Sequence, residues 1–314
     1  MIKNISVIGA GTMGHAIAAC FARYGYIVSV YESYEPMRNS CKERIQNQYD
    51  FFKSEGVMSE QTIQKALVNI QIFDDLQAAV SNADYVIEAI SEVAEQKQEL
   101  FEQLKKHCSS DTIFASNTSS ISFDVLTARL SEEDKARVMV CHWYNPAHLM
   151  PLVELSSFGN MSPERYSEVE ALYISIEKRS AKVKKDVPGL LANRIQQAIA
   201  REVFSLMEMQ VAEAEDIETA LKYGPAFRYA TTGQLEVADF GGLDIWCTVG
   251  DNLLSVMDRR DNASDLLRNK VAEGKLGIKS GEGFFVYPED EKSEKIDSFY
   301  KRLLIQLEAS QQYD

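Results

Sequence analysis

Cysteine is scarce. The five residues, at positions 20, 41, 108, 141 and 247, form no C-x-x-C pair and no even framework, so reduced thiols in the cytosol are expected rather than a disulfide-stapled fold. Long apolar runs are missing as well, and no stretch approaches the length that spans a bilayer. The first residues lead straight into a strand pattern, leaving no room for a signal peptide, so a cytoplasmic location is expected. Basic residues are in deficit: 33 Lys and Arg stand against 47 Asp and Glu, a net charge of −14. That argues against broad nucleic-acid binding while leaving room for a local basic pocket that takes an anionic substrate. Internal repeats and low-complexity segments are absent, and there are only four histidines. What is present is ordinary for a soluble globular chain, with 45% apolar and 25% charged residues in 314 positions. That size suits one larger and one smaller domain.

The most informative segment lies at the beginning. Ile5, Val7 and Ile8 end a short apolar run, Gly9-Ala10-Gly11-Thr12-Met13-Gly14 follows, and a helical pattern continues through Ala16, Ile17, Cys20, Phe21 and Tyr24. Gly25 closes the helix, Ile27 to Tyr31 reads as a second strand, and Glu32 stands at its end. This is the strand-turn-helix-strand context in which G-x-G-x-x-G signifies a dinucleotide site. Gly9 serves the tight turn, Gly11 lets backbone approach a pyrophosphate, and Gly14 lets helix pack on strand. Thr12 and Met13 complete the loop, and the helix start offers free N–H groups to phosphate. Glu32, eighteen residues past Gly14, has the spacing of the acid that binds a ribose 2′-hydroxyl. Its carboxylate would repel an added phosphate, so NAD rather than NADP is expected; the competing reading is a solvated charge after a strand.

Strand and helix patterns alternate to about residue 185, predicting an α/β fold with a doubly wound, Rossmann-type parallel sheet. Apolar strand candidates recur at Tyr85–Ile87, Thr112–Ala115 and Val138–Cys141, with a helical stretch from Glu95 to Lys106 between the first two. Residues 36–67 read as an inserted polar helical hairpin, either a mobile clamp over a phosphate-bearing substrate or a solvated helix pair. After Asp186-Val187-Pro188-Gly189 the pattern becomes almost entirely helical. The expected organisation is therefore a dinucleotide domain over 1–185 and a smaller all-helical domain over 186–314. Near the end, Ile296, Phe299, Tyr300, Leu303, Leu304 and Leu307 share one helical face, suited to packing on the body or on a second subunit.

Among the histidines, His15 falls in the glycine-loop helix and His107 in a basic helix end. His142 differs, because it follows the apolar run Val138–Cys141, and a strand's carboxyl end is where such sheets bind ligands. Asn145-Pro146 and Met150-Pro151 are turn signals, so the chain can return alongside and bring Glu154 back to His142. A neutral imidazole can take an alcohol proton as hydride leaves, and a carboxylate behind the ring fixes its tautomer and stabilises the imidazolium. The competing reading is a core histidine satisfied by an acid. A metal site from His142, His148 and Glu154 is disfavoured by the intervening prolines and the cofactor loop, so no metal is expected. Ser116-Asn117-Thr118-Ser119-Ser120 also ends a strand, either to bond a substrate oxygen or the nicotinamide amide, or to cap the segment at Phe123. Asn193 is polar on an otherwise apolar helix and either reaches a cleft or faces water.

Together these segments resemble the 3-hydroxyacyl-CoA dehydrogenase family over nearly the whole chain. The further carrying pieces are Val86-Ile87-Glu88-Ala89, the stretch His142 to Glu154, Val187 to Arg194, and Gly277-Ile278-Lys279-Ser280-Gly281-Glu282-Gly283-Phe284-Phe285. The resemblance implies His142 as general base, Glu154 as its partner, and Ser119 and Asn193 holding the substrate carbonyl region. It further implies that Glu92, Lys97, Asn145 and Lys279 contact the dinucleotide, and that the helical domain builds a homodimer. Two departures bear on substrate. Pro151 stands where acyl-CoA enzymes commonly carry lysine, and Gly224-Pro225-Ala226-Phe227-Arg228-Tyr229-Ala230-Thr231-Thr232-Gly233 looks like the branch acting on carnitine or L-gulonate. Arg228 would there grip a substrate carboxylate; otherwise it is a surface arginine. The leading expectation is an NAD-dependent L-3-hydroxyacyl-CoA dehydrogenase. The alternative is a dehydrogenase of a free polar 3-hydroxy acid, and the remote one a non-catalytic, crystallin-like NADH-binding protein.

Overall fold

A computed structural model describes residues 2–313, and the chain divides into two compact units, 1–193 and 194–314. The first unit is built on eight strands: β1 (Asn4–Ile8), β2 (Ile27–Tyr31), β3 (Ile70–Phe73), β4 (Tyr85–Glu88), β5 (Ile113–Ser116), β6 (Val138–Trp143), β7 (Leu152–Ser156) and β8 (Arg179–Lys182). Their order in the single sheet is 3-2-1-4-5-6-7-8. Strands β1 to β6 are mutually parallel. The order reverses between β1 and β4, which makes the carboxyl ends of those strands the crevice where ligands bind. β4, β5 and β6 are buried at every position, as near-continuous apolar strands in a covered parallel sheet are.

The helices are the crossovers this topology demands. Helices α1 (Gly14–Arg23), α2 (Glu35–Ser54), α3 (Glu60–Val68), α4 (Leu76–Val80) and α5 (Ala94–His107) link the first five strands. Short turns α6 (Phe123–Leu126) and α7 (Glu132–Lys135) lead to β6, and α8 (Pro163–Ser175) joins β7 to β8. The mostly parallel sheet carries one return, as the turn signals after His142 predict: β7 runs antiparallel to β6, and β8 parallel to β7. The connection over 144–151 is too short for a crossover helix, so only a return is possible. Phe21, Tyr85, Trp143 and Tyr173 make an edge-to-face aromatic core. Within it the Trp143 indole N–H donates to the Tyr173 hydroxyl at 3.1 Å.

The polar hairpin is α2 and α3. Its inner face is not solvated: Cys41, Ile45, Tyr49, Phe52, Ile63 and Ala66 are buried, and the Tyr49 hydroxyl donates to the Ala19 carbonyl of α1 at 2.8 Å.

Helix α9 (Ala192–Glu208) starts at the end of the first unit, and the second unit continues it with α10 (Ala214–Tyr223), α11 (Pro225–Tyr229), α12 (Gln234–Gly241), α13 (Leu243–Leu253), α14 (Asp265–Ala272) and α15 (Lys292–Ser310). Many large apolar side chains of this unit are exposed, among them Phe227, Leu235, Phe240, Leu254 and Val256. An apolar cavity of about 590 Å³ lies between α9, α10 and α11. On α15, Leu304 is buried while Phe299 of the predicted stripe is exposed. Among the described residues no helix is long and apolar enough to cross a membrane.

Candidate active site

The glycine loop has the geometry a dinucleotide needs. Gly9 adopts φ +96° while its N–H donates to the Tyr31 carbonyl at 2.8 Å. A Cβ there would stand 2.8 Å from the Ala89 carbonyl oxygen, and one on Gly14 would stand 1.7 Å from that of Gly9. Gly11 is the contrast: nothing lies within 4 Å of a Cβ placed on it, so its face is open to an incoming phosphate. Helix α1 has no side-chain cap, so no side chain occupies the helix start where an anion would bind.

Glu32 is not a solvated charge at a strand end. Its two carboxylate oxygens accept the Ala10 N–H at 2.8 Å and the Tyr34 N–H at 2.9 Å, which pins the acid against the loop. Helix α2 holds the other side. The Arg44 guanidinium donates to the Ala10 carbonyl. His15 donates from Nδ1 to the Gly11 carbonyl at 2.6 Å and accepts at Nε2 from the Gln48 amide at 3.0 Å. Burial lowers the His15 pKa, with the Gly11 bond opposing and the Arg44 charge adding to the effect.

The expected base, His142, lies near the carboxyl end of β6, and its expected partner, Glu154, lies on β7. His142 and Glu154 are direct partners in the antiparallel β6–β7 register, and His142 Nδ1 lies 2.9 Å from Glu154 Oε2. The His142 side chain is 9% and that of Glu154 0% exposed. The second oxygen, Oε1, accepts the N–H groups of Leu191 at 2.7 Å and Ala192 at 3.0 Å, at the start of α9. Burial alone pushes the Glu154 pKa up, but the bonds from His142, Ala192 and Leu191 outweigh it and hold the carboxyl below its usual range. The carboxylate therefore stays charged behind the ring. Asn193 follows directly in the first turn of α9, its Oδ1 accepting from the Tyr144 hydroxyl at 2.7 Å. Ser119 is held through its backbone, its N–H donating to Glu92 at 3.3 Å and its carbonyl accepting from Gly189 at 2.8 Å.

Two profiles of one family match: the NAD binding domain of 3-hydroxyacyl-CoA dehydrogenase over residues 4–187, and its C-terminal domain over residues 189–287. The chain belongs to the 3-hydroxyacyl-CoA dehydrogenase family. It is an NAD-dependent oxidoreductase acting on a CH–OH group. Among its relatives is a probable 3-hydroxybutyryl-CoA dehydrogenase of Bacillus subtilis, 34% identical over 92% of this chain and 98% of the relative. Another is the 5-formyl-3-hydroxy-2-methylpyridine 4-carboxylate 5-dehydrogenase of Mesorhizobium japonicum, 33% identical over 93% of this chain and 94% of the relative. A crystal structure of an enzyme of that second activity, described as an NAD+-dependent dismutase, covers 100% of both chains with TM-score 0.90 at 31% identity. The (S)-3-hydroxybutyryl-CoA dehydrogenase of Ralstonia eutropha gives 0.73 at 30% identity over 92% of this chain and 100% of its own.

Within this family member, the residues that resemblance links to the dinucleotide have contrasting surroundings. Asn145 is exposed in the loop after β6, and Lys279 is exposed in the second unit, as is Arg228 on α11. Lys97 is only 1% exposed. Its ammonium bonds Glu88 and lies 3.2 Å from Glu92. Glu88 in turn accepts the Ser116 hydroxyl at 2.6 Å and the Ile90 N–H at 2.9 Å. Glu92 gathers the Thr118 hydroxyl at 2.5 Å and the Ser120 hydroxyl at 2.8 Å. The buried Lys97–Glu88 pair thus meets the 116–120 loop through Ser116 and through the more exposed Glu92.

Other supporting residues gave no separate signal in the sequence. Asn117 joins two strand ends, its N–H donating to the Glu88 carbonyl at 2.9 Å and its side chain accepting the Trp143 N–H at 2.8 Å. The buried Lys178 ammonium donates to the Ala147 and Met150 carbonyls, each at 2.7 Å, and lies 4.8 Å from the centre of the Trp143 ring. It braces the loop between His142 and Glu154 from 24 residues beyond the second of them, a distance no local pattern reports. His148 is buried against Phe52, and burial, with the Lys178 and His15 charges, pushes its pKa down to about 3. Among the described residues no three His, Cys, Asp or Glu side chains are grouped to hold a metal ion.

Proposed function

We propose that this enzyme is an L-3-hydroxyacyl-CoA dehydrogenase in which His142 is the general base and Glu154 its electrostatic partner. One observation carries this reading: the 2.9 Å contact between His142 Nδ1 and Glu154 Oε2, buried at the sheet's carboxyl edge. With Nδ1–H donating to a carboxylate, Nε2 is the nitrogen left with a lone pair. Nε2 takes the substrate hydroxyl proton, and Glu154 stabilises the imidazolium formed. Because Glu154 is itself fixed by two α9 amides, the ring is oriented before substrate arrives. Ser119 and Asn193 hold the substrate oxygen. The glycine loop and Glu32 bind the dinucleotide, with Glu92, Lys97, Asn145 and Lys279 contributing on the strength of family likeness. NAD, when bound, supplies the hydride acceptor.

The test is nicotinamide absorbance with acetoacetyl-CoA and NADH. Wild-type protein is expected to turn over and His142→Gln to lose about 10²–10⁴ of the rate, the range for a positioned base. An undiminished rate in the variant overturns the assignment.

A second substrate reading has its own support. The full-length likeness to a pyridine-carboxylate dehydrogenase, at TM-score 0.90 against 0.73 for a hydroxybutyryl-CoA enzyme, favours a small free acid, with Arg228 as carboxylate anchor. Turnover confined to free hydroxy acids and lost in Arg228→Ala would select it. The exposed apolar side chains of the helical unit support a homodimer, which light scattering would detect.

A further inference from the structure

Tyr144 touches both His142 and the Asn193 amide. Its ring meets the His142 ring edge-on, centroids 5.6 Å apart at 71°. Its hydroxyl donates to Asn193 Oδ1 at 2.7 Å. A side-chain amide presents either an acceptor or a donor depending on a half-turn of its terminal group, and the hydrogen bonds around it decide which. With Oδ1 engaged by a phenol, the Asn193 NH2 is the group offered to a bound ligand.

We infer that Tyr144 is a positioning residue, fixing the Asn193 amide so that its N–H faces the substrate oxygen. The inference rests on the His142–Glu154 reading of the site. In the oxidative direction the O–H bond breaks, its proton goes to His142 Nε2, and the C–H hydride goes to the nicotinamide. Charge builds on the substrate oxygen as the proton leaves, and a fixed donor there is worth more in the transition state than in the ground state. An amide free to flip would present its carbonyl for part of the time, which opposes that charge. The phenol is suited to this duty because burial and the Glu154 charge keep it protonated.

The experiment is a double-mutant cycle on the full chain, with Tyr144→Phe, Asn193→Ala and the combined variant, using whichever of acetoacetyl-CoA and the free hydroxy acids turns over fastest. Tyr144→Phe keeps the ring and is expected to lower kcat/KM for the organic substrate about five- to ten-fold, the worth of one neutral hydrogen bond. KM for NAD and the melting temperature should be unchanged. Asn193→Ala is expected to cost roughly a hundred-fold, and the combined variant no more than Asn193→Ala alone, because Tyr144 acts through that amide. A wild-type rate in Tyr144→Phe, multiplicative losses in the combined variant, or an equal loss of NAD affinity would each overturn the inference. His142→Gln measured alongside separates the readings: if it is inactive while Tyr144→Phe is unaffected, the Tyr144 role alone fails.

Discussion

Replacing Glu154 with Gln would remove one charge and almost no volume, and the surroundings of the carboxylate determine the outcome. The native group accepts on both oxygens, from His142 on one side and from the Leu191 and Ala192 N–H groups on the other. A glutamine has only one oxygen. Turned toward His142, it would set its NH2 against two buried N–H donors, each costing about 1–3 kcal/mol when left unsatisfied. Turned toward α9, it satisfies both amides and presents NH2 to His142 Nδ1. The second orientation wins by a few kcal/mol on that count. Nδ1 must then accept, which moves the ring proton to Nε2 and abolishes the base. The wrong-tautomer penalty known for serine-protease triads is about 10⁴ in kcat. Here a loss of about 10³–10⁴ in kcat is expected, roughly 4–5 kcal/mol, with little change in NADH affinity. Steady-state turnover and NADH fluorescence titration measure the two quantities. A Glu154→Gln enzyme within ten-fold of wild type would refute the tautomer argument.

The glycine loop gives a paired expectation: Gly11→Ala should fold normally, since its Cβ enters open space, yet bind NADH at least ten-fold more weakly. Gly14→Ala should lower the melting temperature as well, because its Cβ would lie 1.7 Å from the Gly9 oxygen; equal melting temperatures for the two variants would contradict this. Lys97→Met leaves Glu88 buried without its cation, and denaturant unfolding should record a loss of about 3–5 kcal/mol. Acid titration should also discriminate. The Glu154 carboxyl is held low in the folded state, so its contribution is complete above the unfolded value of about 4.3 and fades as pH falls through the lower folded value. The stability gap between wild type and Glu154→Gln should therefore narrow below about pH 4; a gap that widens there would reverse the sign of the argument.

Much of this was readable along the chain because the determining interactions are local. Gly9 to Gly14 and Glu32 are joined by one strand-turn-helix-strand unit, so their spacing alone places them at the same loop. His142 and Glu154 are linked by a turn too short for anything but a return. The signal was weak where the partner is distant or the segment polar. β8, Arg179–Lys182, has no apolar run, and its strand character comes from pairing with β7. Polar composition likewise leaves the 36–67 hairpin open between a mobile clamp and a solvated pair, whereas its apolar minority is buried and its Tyr49 hydroxyl bonds α1.

The residues themselves determined the cofactor class and the candidate base, because backbone sterics and side-chain chemistry at short separations permit few alternatives. Only tertiary structure decided what those groups experience. It is the α9 amides behind Glu154 that keep the carboxylate charged, the sealed Lys97 that organises the serine-rich loop, and the Tyr144 phenol that sets the Asn193 amide. Each depends on burial and on partners brought from elsewhere in the chain, and electrostatic strength in a folded protein is governed by that exclusion of water.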